Sequence, residues 1–395
     1  MRYFSTLSPA RKAALFHRVP GEFFRDSSAQ RLAMALGATL YAPAVRPDLA
    51  ADIARCHRAG VMSMVCCLED AVRDDEVADA ESNLVRQLRR YAADGGEGPL
   101  LFVRVRAVEQ ISRLADRLGD ALRMLSGFVL PKFRSDAIGH SGVETVRKLG
   151  ADAGLPMYVM PVLETPEVAW AESRLAALRD LHGFLDSYRE SVLAVRVGGT
   201  DLCGLYGLRR PVELTAWEIG LVAGVLTDIV NVFGRRDGSG FPVTGPVWEY
   251  FAGGDRILRP QLRASPFAQH EPDGDDLRRR LLQRSLDGLI RETMLDRANG
   301  LMGKTVIHPT HASTVHALSV VSHEEYSDST AILGDGASVH GGVLRSAYDN
   351  KMNEVGPHRH WAELTLQRAE IFGVAREGVT FVDFLDAHDR VGSTA

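Results

Sequence analysis

The sequence predicts an α/β fold: a closed (β/α)₈ barrel (TIM barrel) with an N-terminal helical preamble and a C-terminal helical extension. Short apolar runs alternate with amphipathic stretches, the runs number eight, and no glycine-rich phosphate loop follows the first of them. Strand-then-helix repeats imply parallel strands, because a parallel pair needs a crossover connection. An open doubly wound sheet is the alternative, and the missing glycine-rich loop argues against it.

The elements follow in order. Residues 1–37 read as helical, with Ser8-Pro9 starting one helix and a second pattern, AQRLAMALG, ending at Gly37. The barrel is expected over 38–315. Its runs are ATLYAPA (38–44), VMSMVCCLE (61–69), LLFVRVRA (100–107), GFVLP (127–131), MYVMPVLE (157–164), VLAVRVGG (192–199), FPVTGPV (241–247) and KTVIHP (304–309). Two stretches break the rhythm. Residues 165–190 exceed one crossover helix, and 248–302 hold a polar, Pro/Gly-punctuated loop followed by the helical pattern LRRRLLQRSLDGLIRETML. A loop of that length reads as a lid or an interface element. Residues 316–395 form the extension, a subunit contact in this reading, with helical patterns near 311–320 and 358–373 and DAHDRVGSTA as a frayed tail.

Bulk properties narrow the function classes. With 45% apolar and 25% charged residues, the chain has the composition of a globular domain with a sizeable core. A net charge of -5 speaks against nucleic-acid and anionic-membrane partners. The N-terminus lacks an uninterrupted apolar stretch of the kind found in secretion signals, and nothing approaches the length of a membrane span. Cys56, Cys66, Cys67 and Cys203 form no CxxC pair and no zinc spacing, which fits structural thiols in a reducing cytoplasm.

The chemistry is expected where the strands end. In a parallel barrel all C-terminal strand ends open on one face. Runs end here in Glu69-Asp70, Arg104 with Arg106, Pro131-Lys132, Glu164 and Asp201. Two carboxylates at neighbouring mouths, Glu164 and Asp201, suit a hard divalent cation whose other positions are filled by water or substrate oxygens; Mg²⁺ prefers this, with Mn²⁺ as an alternative. Each carboxylate could instead cap the helix that follows. Gly198 and Gly199 permit close backbone approach and leave the amides of Thr200 and Asp201 available to a carboxylate or enolate, or form a mere tight turn. Alternation puts Arg104 and Arg106 on one face. They bind a substrate carboxylate, or Arg104 pairs with Glu69 or Asp70 to close the mouth, or both hold, with the acidic pair orienting the arginine that binds substrate. His308 beside Pro309 reads as structural, and Lys132 as a weaker Schiff-base candidate.

The ordered strings YAPAVRP, CLEDAV, FVRV, LPK, PVLET, GGTDL and GKTVIHP resemble the citrate lyase β-subunit-like lyases, within the metal-dependent 2-oxo acid aldolases and malyl-CoA lyases. The match runs from about residue 40 to 315, and KMNEVGPHRHWAELTLQRA (351–369) is similar to that family's helical extension. The resemblance implies Mg²⁺ on Glu164 and Asp201, a substrate carboxylate on Arg104, and Glu69 and Asp70 holding the mouth. It implies cleavage of a carbon–carbon bond next to a carbonyl through a metal-stabilised enolate. It also implies a homo-oligomer, a trimer or hexamer, in which an acidic residue of the extension, here Glu354, serves a neighbour's site.

Departures from the family pattern surround the metal centre. Arg106 replaces an asparagine, Val77 a lysine, Ala80-Glu81 an alanine–arginine pair, and His311 a glutamine, while Glu354 stands for an aspartate. Glu164 and Asp201 are 37 residues apart, a longer spacing than in the family. Use of a coenzyme A thioester is therefore left open, and Arg106 adds a charge suited to a second carboxylate or a phosphate. Three functions follow: a lyase acting on a small oxo or hydroxy acid or its thioester, a malate-synthase-like condensing enzyme, and a non-catalytic binding or regulatory barrel. Retention of both carboxylates favours the first two, because they repel each other without a cation.

Overall fold

The computed structural model describes residues 1–251, 286–334 and 342–392, without the side chains of 388–392. Its centre is a closed barrel of eight parallel strands: β2 (Ala38–Pro43), β3 (Ser63–Cys67), β4 (Leu100–Arg104), β5 (Leu125–Leu130), β6 (Tyr158–Leu163), β7 (Val195–Val197), β8 (Val243–Trp248) and β9 (Met302–Val306). Pairing of Ala38 with Lys304 and of Leu40 with Val306 closes it. Each of the eight apolar runs is a strand, as the sequence predicts. In FPVTGPV the register slips on both sides of Gly245. A Cβ there would meet Asp296 Oδ2 at 2.5 Å, so glycine lets the strand lie against the helix Asp287–Ala298.

Alternation divides the strand residues between two apolar layers. Leu101 and Val103 of β4 face outward and pack with Ile111 and Leu114 of the crossover helix Glu109–Leu118. Leu100 and Phe102 face inward and share a cluster with Met160, Val162, Tyr3, Phe23, Leu32 and Phe372. The preamble and the long C-terminal helix (Val355–Phe372) thus supply apolar side chains to the cluster that fills the barrel interior. Helices Pro9–Leu15 and Ala29–Met34 start at Ser8 and Ser28, whose side chains accept from the amides of Arg11 and Arg31. Gly37 takes a left-handed turn (φ 49°) into β2.

The stretch 165–190 holds two helices, Pro166–Ala169 and Ala171–Asp186. The helical pattern begun at 277 is seen from Asp287 to Ala298; the loop read as a lid falls on 252–285, outside the described residues. The extension contains the expected helices Pro309–Ser319 and Val355–Phe372 and two more, His323–Leu333 and Phe381–Gly392. A hairpin of β10 (Val343–Arg345) and β11 (Met352–Glu354) precedes the longest of them.

The expectation of a frayed tail from 386 onward is corrected. Helix Phe381–Gly392 covers 386–392 of it, because Val382, Phe384, Leu385 and Ala387 are buried in the main core; residues 393–395 lie outside the described residues. Asp383 accepts from the Thr380 amide and hydroxyl at the helix start. β1 (Phe16–Arg18) pairs with β12 (Val374–Ala375), tying the two ends of the chain together. No helix among the described residues is long and apolar enough to cross a membrane.

Candidate active site

A cavity of about 370 Å³ opens where the strands end, lined by Asp70, Arg104, Glu164, Gly198, Gly199, Thr200 and Asp201 among others. This volume lies in the range of small-molecule sites. Four strands bring these residues together across 132 positions of sequence, from Asp70 to Asp201, as the barrel topology requires. Cys67 faces the cavity, while Cys66, next to it on β3, points outward into the core.

Glu164 follows the last residue of β6 and is almost fully buried. Burial and then the Asp201 charge push its carboxyl up to about 8, against the amide of Lys132, Arg104 and the Lys132 ammonium. It does not cap the helix that follows; Thr165 occupies that position, and Glu164 Oε1 accepts from the Lys132 amide at 2.9 Å. Asp201 lies in the first turn of the short helix Gly199–Gly204.

Lys132 joins the acidic groups. Its ammonium lies 2.5 Å from Glu69 Oε1, 3.4 Å from Asp70 Oδ2 and 3.2 Å from Asp201 Oδ1. Its backbone is left-handed, φ 48°, a conformation unfavourable for lysine. These partners raise its pKa despite partial burial, which keeps the amine charged and disfavours a Schiff base. Burial works against ionisation of Glu69, but bonds from Asp70, Arg104 and Lys132 outweigh it and hold the carboxyl down at about 2. Burial and then the Glu69 contact push Asp70 up to about 6.

Arg104 is the last residue of β4. Its Nη2 lies 3.1 Å from Glu69 Oε2, its Nε donates to Cys67 Sγ at 3.2 Å, and its guanidinium sits 5.3 Å from the Tyr41 ring centre. Arg104 therefore lines the cavity and closes the mouth at once. Arg106 does neither. The alternation that would place it beside Arg104 stops with the strand. Arg106 instead donates to the carbonyls of Leu68, Glu69 and Val72 and pairs with Asp74, fastening the loop after β3. It lines a smaller cleft of about 120 Å³ next to the cavity.

Gly199 and Thr200 line the cavity, but the Thr200 hydroxyl is committed to Glu249. His308 caps the helix Pro309–Ser319, as a structural histidine would. Glu354 is exposed at the end of β11, and its amide donates to His358; it is not part of the cavity lining of its own chain. Sequence reasoning missed Arg196, Tyr41 and Thr305, which also line the cavity. The signal for Arg196 was present, since AVRVGG repeats the Val-Arg-Val pattern used to single out Arg104.

Among the described residues no group of three or more His, Cys, Asp or Glu is placed so that it could hold a metal ion by itself. Glu164 and Asp201 offer oxygen ligands only and share one cavity with open volume beside them. That set fits Mg²⁺, which keeps several water or substrate oxygens, and does not fit a closed structural zinc site.

The model of the carbon–carbon bond lyases of the TIM-barrel fold matches residues 30–374. Among solved structures, a citrate lyase from Burkholderia xenovorans is 16% identical, with a TM-score of 0.58 over 86% of this chain and 93% of that one. The CitE protein of Mycobacterium tuberculosis, solved with magnesium, acetoacetate and coenzyme A, is 20% identical, with a TM-score of 0.49 over 88% and 99% of the two chains. A malate synthase from Haloferax volcanii is 14% identical, with a TM-score of 0.49 over 70% and 72%. No curated protein matches the chain. With the eight-stranded barrel in place and 30–374 matched, the chain belongs to the carbon–carbon bond lyases of the TIM-barrel fold.

Proposed function

We propose that the protein is a Mg²⁺-dependent enzyme that cleaves or forms a carbon–carbon bond next to the carbonyl of a small oxo or hydroxy acid, or of its acyl thioester. The observation that carries this reading is the pair Glu164 and Asp201 in one cavity, with burial and mutual repulsion pushing Glu164 up to about 8. Two carboxylates held in that way call for a cation. Glu164 and Asp201 would hold it, and when bound it supplies the Lewis acidity that stabilises an enolate.

The remaining work falls to the chain's own groups. Arg104, kept in place by Glu69 and Cys67, presents a cation to a substrate carboxylate. Lys132 adds positive charge beside Asp201 and orients Glu69 and Asp70. Asp70, with its carboxyl near 6, is the mouth group suited to exchanging a proton close to neutral pH. The direction of reaction is not set by the site, since cleavage and condensation pass through the same intermediate.

One observation favours a second reading. The Lys132 ammonium already lies 3.2 Å from Asp201, which partly neutralises the acidic pair as a non-catalytic barrel would need. Calorimetric titration of metal-stripped protein with Mg²⁺, alone and with pyruvate or oxaloacetate, separates the two. The enzyme reading expects metal binding, oxo acid binding that depends on it, and loss of both in Glu164→Gln/Asp201→Asn. Absence of both in the wild type would leave the binding-module reading in its place.

A further inference from the structure

We propose that Arg196, at the floor of the cavity, anchors a second anionic group of the substrate, so that the site selects a diacid over a monoacid. This rests on the lyase reading of the same cavity. Three arginine or lysine side chains are buried among the described residues: Arg196, Arg210 and Lys304. Arg210 pairs with Glu292, and Lys304 with Glu292 and Asp296. Arg196 differs, as no carboxylate among the described residues forms an ion pair with it. Its Nη2 donates to Thr305 Oγ1 at 2.5 Å, its Nη1 lies 3.8 Å from Met160 Sδ, and its guanidinium is 5.4 Å from the Tyr41 ring centre. All of these partners are uncharged.

A buried cation without a counter-charge is costly unless an anion arrives to complete it. Burial lowers the Arg196 pKa; Tyr41 opposes this and Arg104 adds to it, so the neighbouring charge is of the same sign. An arriving carboxylate relieves both effects and meets the guanidinium in a two-pronged geometry. Arg104 already has a carboxylate in Glu69, which leaves Arg196 as the cavity's less satisfied cation.

Depth sets the class of ligand. Val162 pairs with Arg196, and Glu164 comes two residues later in the direction of the mouth. Arg196 therefore sits roughly 7 Å below the level of Glu164. A short acid whose carbonyl end lies at Glu164 and Asp201 brings its far end to Arg196. A distal carboxylate gains an ion pair there, whereas a distal methyl leaves the buried charge bare.

The test measures binding by calorimetry in Mg²⁺, using oxaloacetate against 2-oxobutyrate and 2-oxoglutarate against 2-oxopentanoate. Each pair has the same carbon count and differs in the distal group. The wild type should bind at least one diacid about tenfold or more tighter than its partner. Arg196→Met and Arg196→Gln should bring that ratio close to one while monoacid affinity stays within about twofold. The ratio is read in whichever variant keeps the wild-type melting temperature; if neither does, the wild-type ratio decides. A wild-type ratio near one, or a ratio unchanged in a folded variant, overturns the assignment and leaves the lyase reading intact. A wild type that binds neither Mg²⁺ nor any of the four acids overturns the lyase reading itself.

Discussion

A Cβ placed on Gly198 would fall 1.6 Å from Glu164 Oε2. Gly198 has φ -90°, a value open to other residues, so the demand for glycine comes from space and not from backbone strain. The nearly fully buried Glu164 carboxylate has no room to yield without leaving the cavity wall. Gly198→Ala is therefore expected to keep the barrel but displace the Glu164 carboxylate. Mg²⁺ affinity should drop by about tenfold or more, the range seen when the support of a metal ligand is removed. Titration calorimetry beside circular dichroism checks both halves, and unaltered Mg²⁺ binding would refute the steric account.

Lys304 of β9 is fully buried between Glu292 and Asp296, at 2.5 and 2.6 Å. Glu292 also meets Arg210 at 2.5 Å and accepts from the Ala216 amide, while Asp296 accepts from the Trp217 indole. The cluster fastens the helix Asp287–Ala298 to the barrel wall. Removing one partner of a buried pair leaves the others uncompensated. Lys304→Met should cost about 3–5 kcal/mol in urea unfolding. A loss below about 1 kcal/mol would mean that the pairing adds little.

The barrel was legible because parallel strands buried on both faces read as continuous apolar runs, as in LLFV and YVMPVL. Glu164 and Asp201 stood out because polar groups end such runs. Arg196 shares the Val-Arg-Val pattern of Arg104 but sits inside its run and not at the polar end of it, so the rule that picked out Glu164 and Asp201 passed it over. The expected placement of Arg106 on one face with Arg104 does not hold, because alternation lasts only as long as the strand and β4 ends at Arg104. The pairing of β1 with β12, and the packing of Tyr3 on Phe372, join segments more than 300 residues apart. No local periodicity records such contacts.

Glu325 gives the extension a specific acid sensitivity. It caps the helix His323–Leu333 by accepting from the Ser322 amide, and it meets Arg368 at 2.9 Å. Burial would raise its pKa, but Arg368, Arg297 and the Ser322 amide hold it down at about 2. A depressed carboxylate stabilises the fold above its unfolded value and loses that contribution as pH falls through the folded value. The contribution should be full above about pH 5 and fade between about pH 4.5 and 2, with a size of about 2 kcal/mol after screening. Urea midpoints at pH 6 and pH 3 should differ less in Glu325→Gln than in the wild type. Equal differences would place the acid sensitivity elsewhere.

Glu354 stands exposed at the end of the β10–β11 hairpin, beside the exposed Met352 and Val343 and outside the cavity of its own chain. An acidic residue placed there can serve chemistry only if the extension reaches a second copy. Two apolar side chains on a short hairpin are suited to such a contact. The expectation has two linked parts. The protein should run as an oligomer in sedimentation, and Glu354→Gln should lower turnover by about tenfold or more while Mg²⁺ binding and the melting temperature stay as in the wild type. Dilution below the dissociation range should lower wild-type specific activity as well, because a site completed in trans is lost with the partner. Full turnover in Glu354→Gln, or a monomer with undiminished activity, would confine the chemistry to Asp70, Arg104, Lys132, Glu164 and Asp201 of one chain.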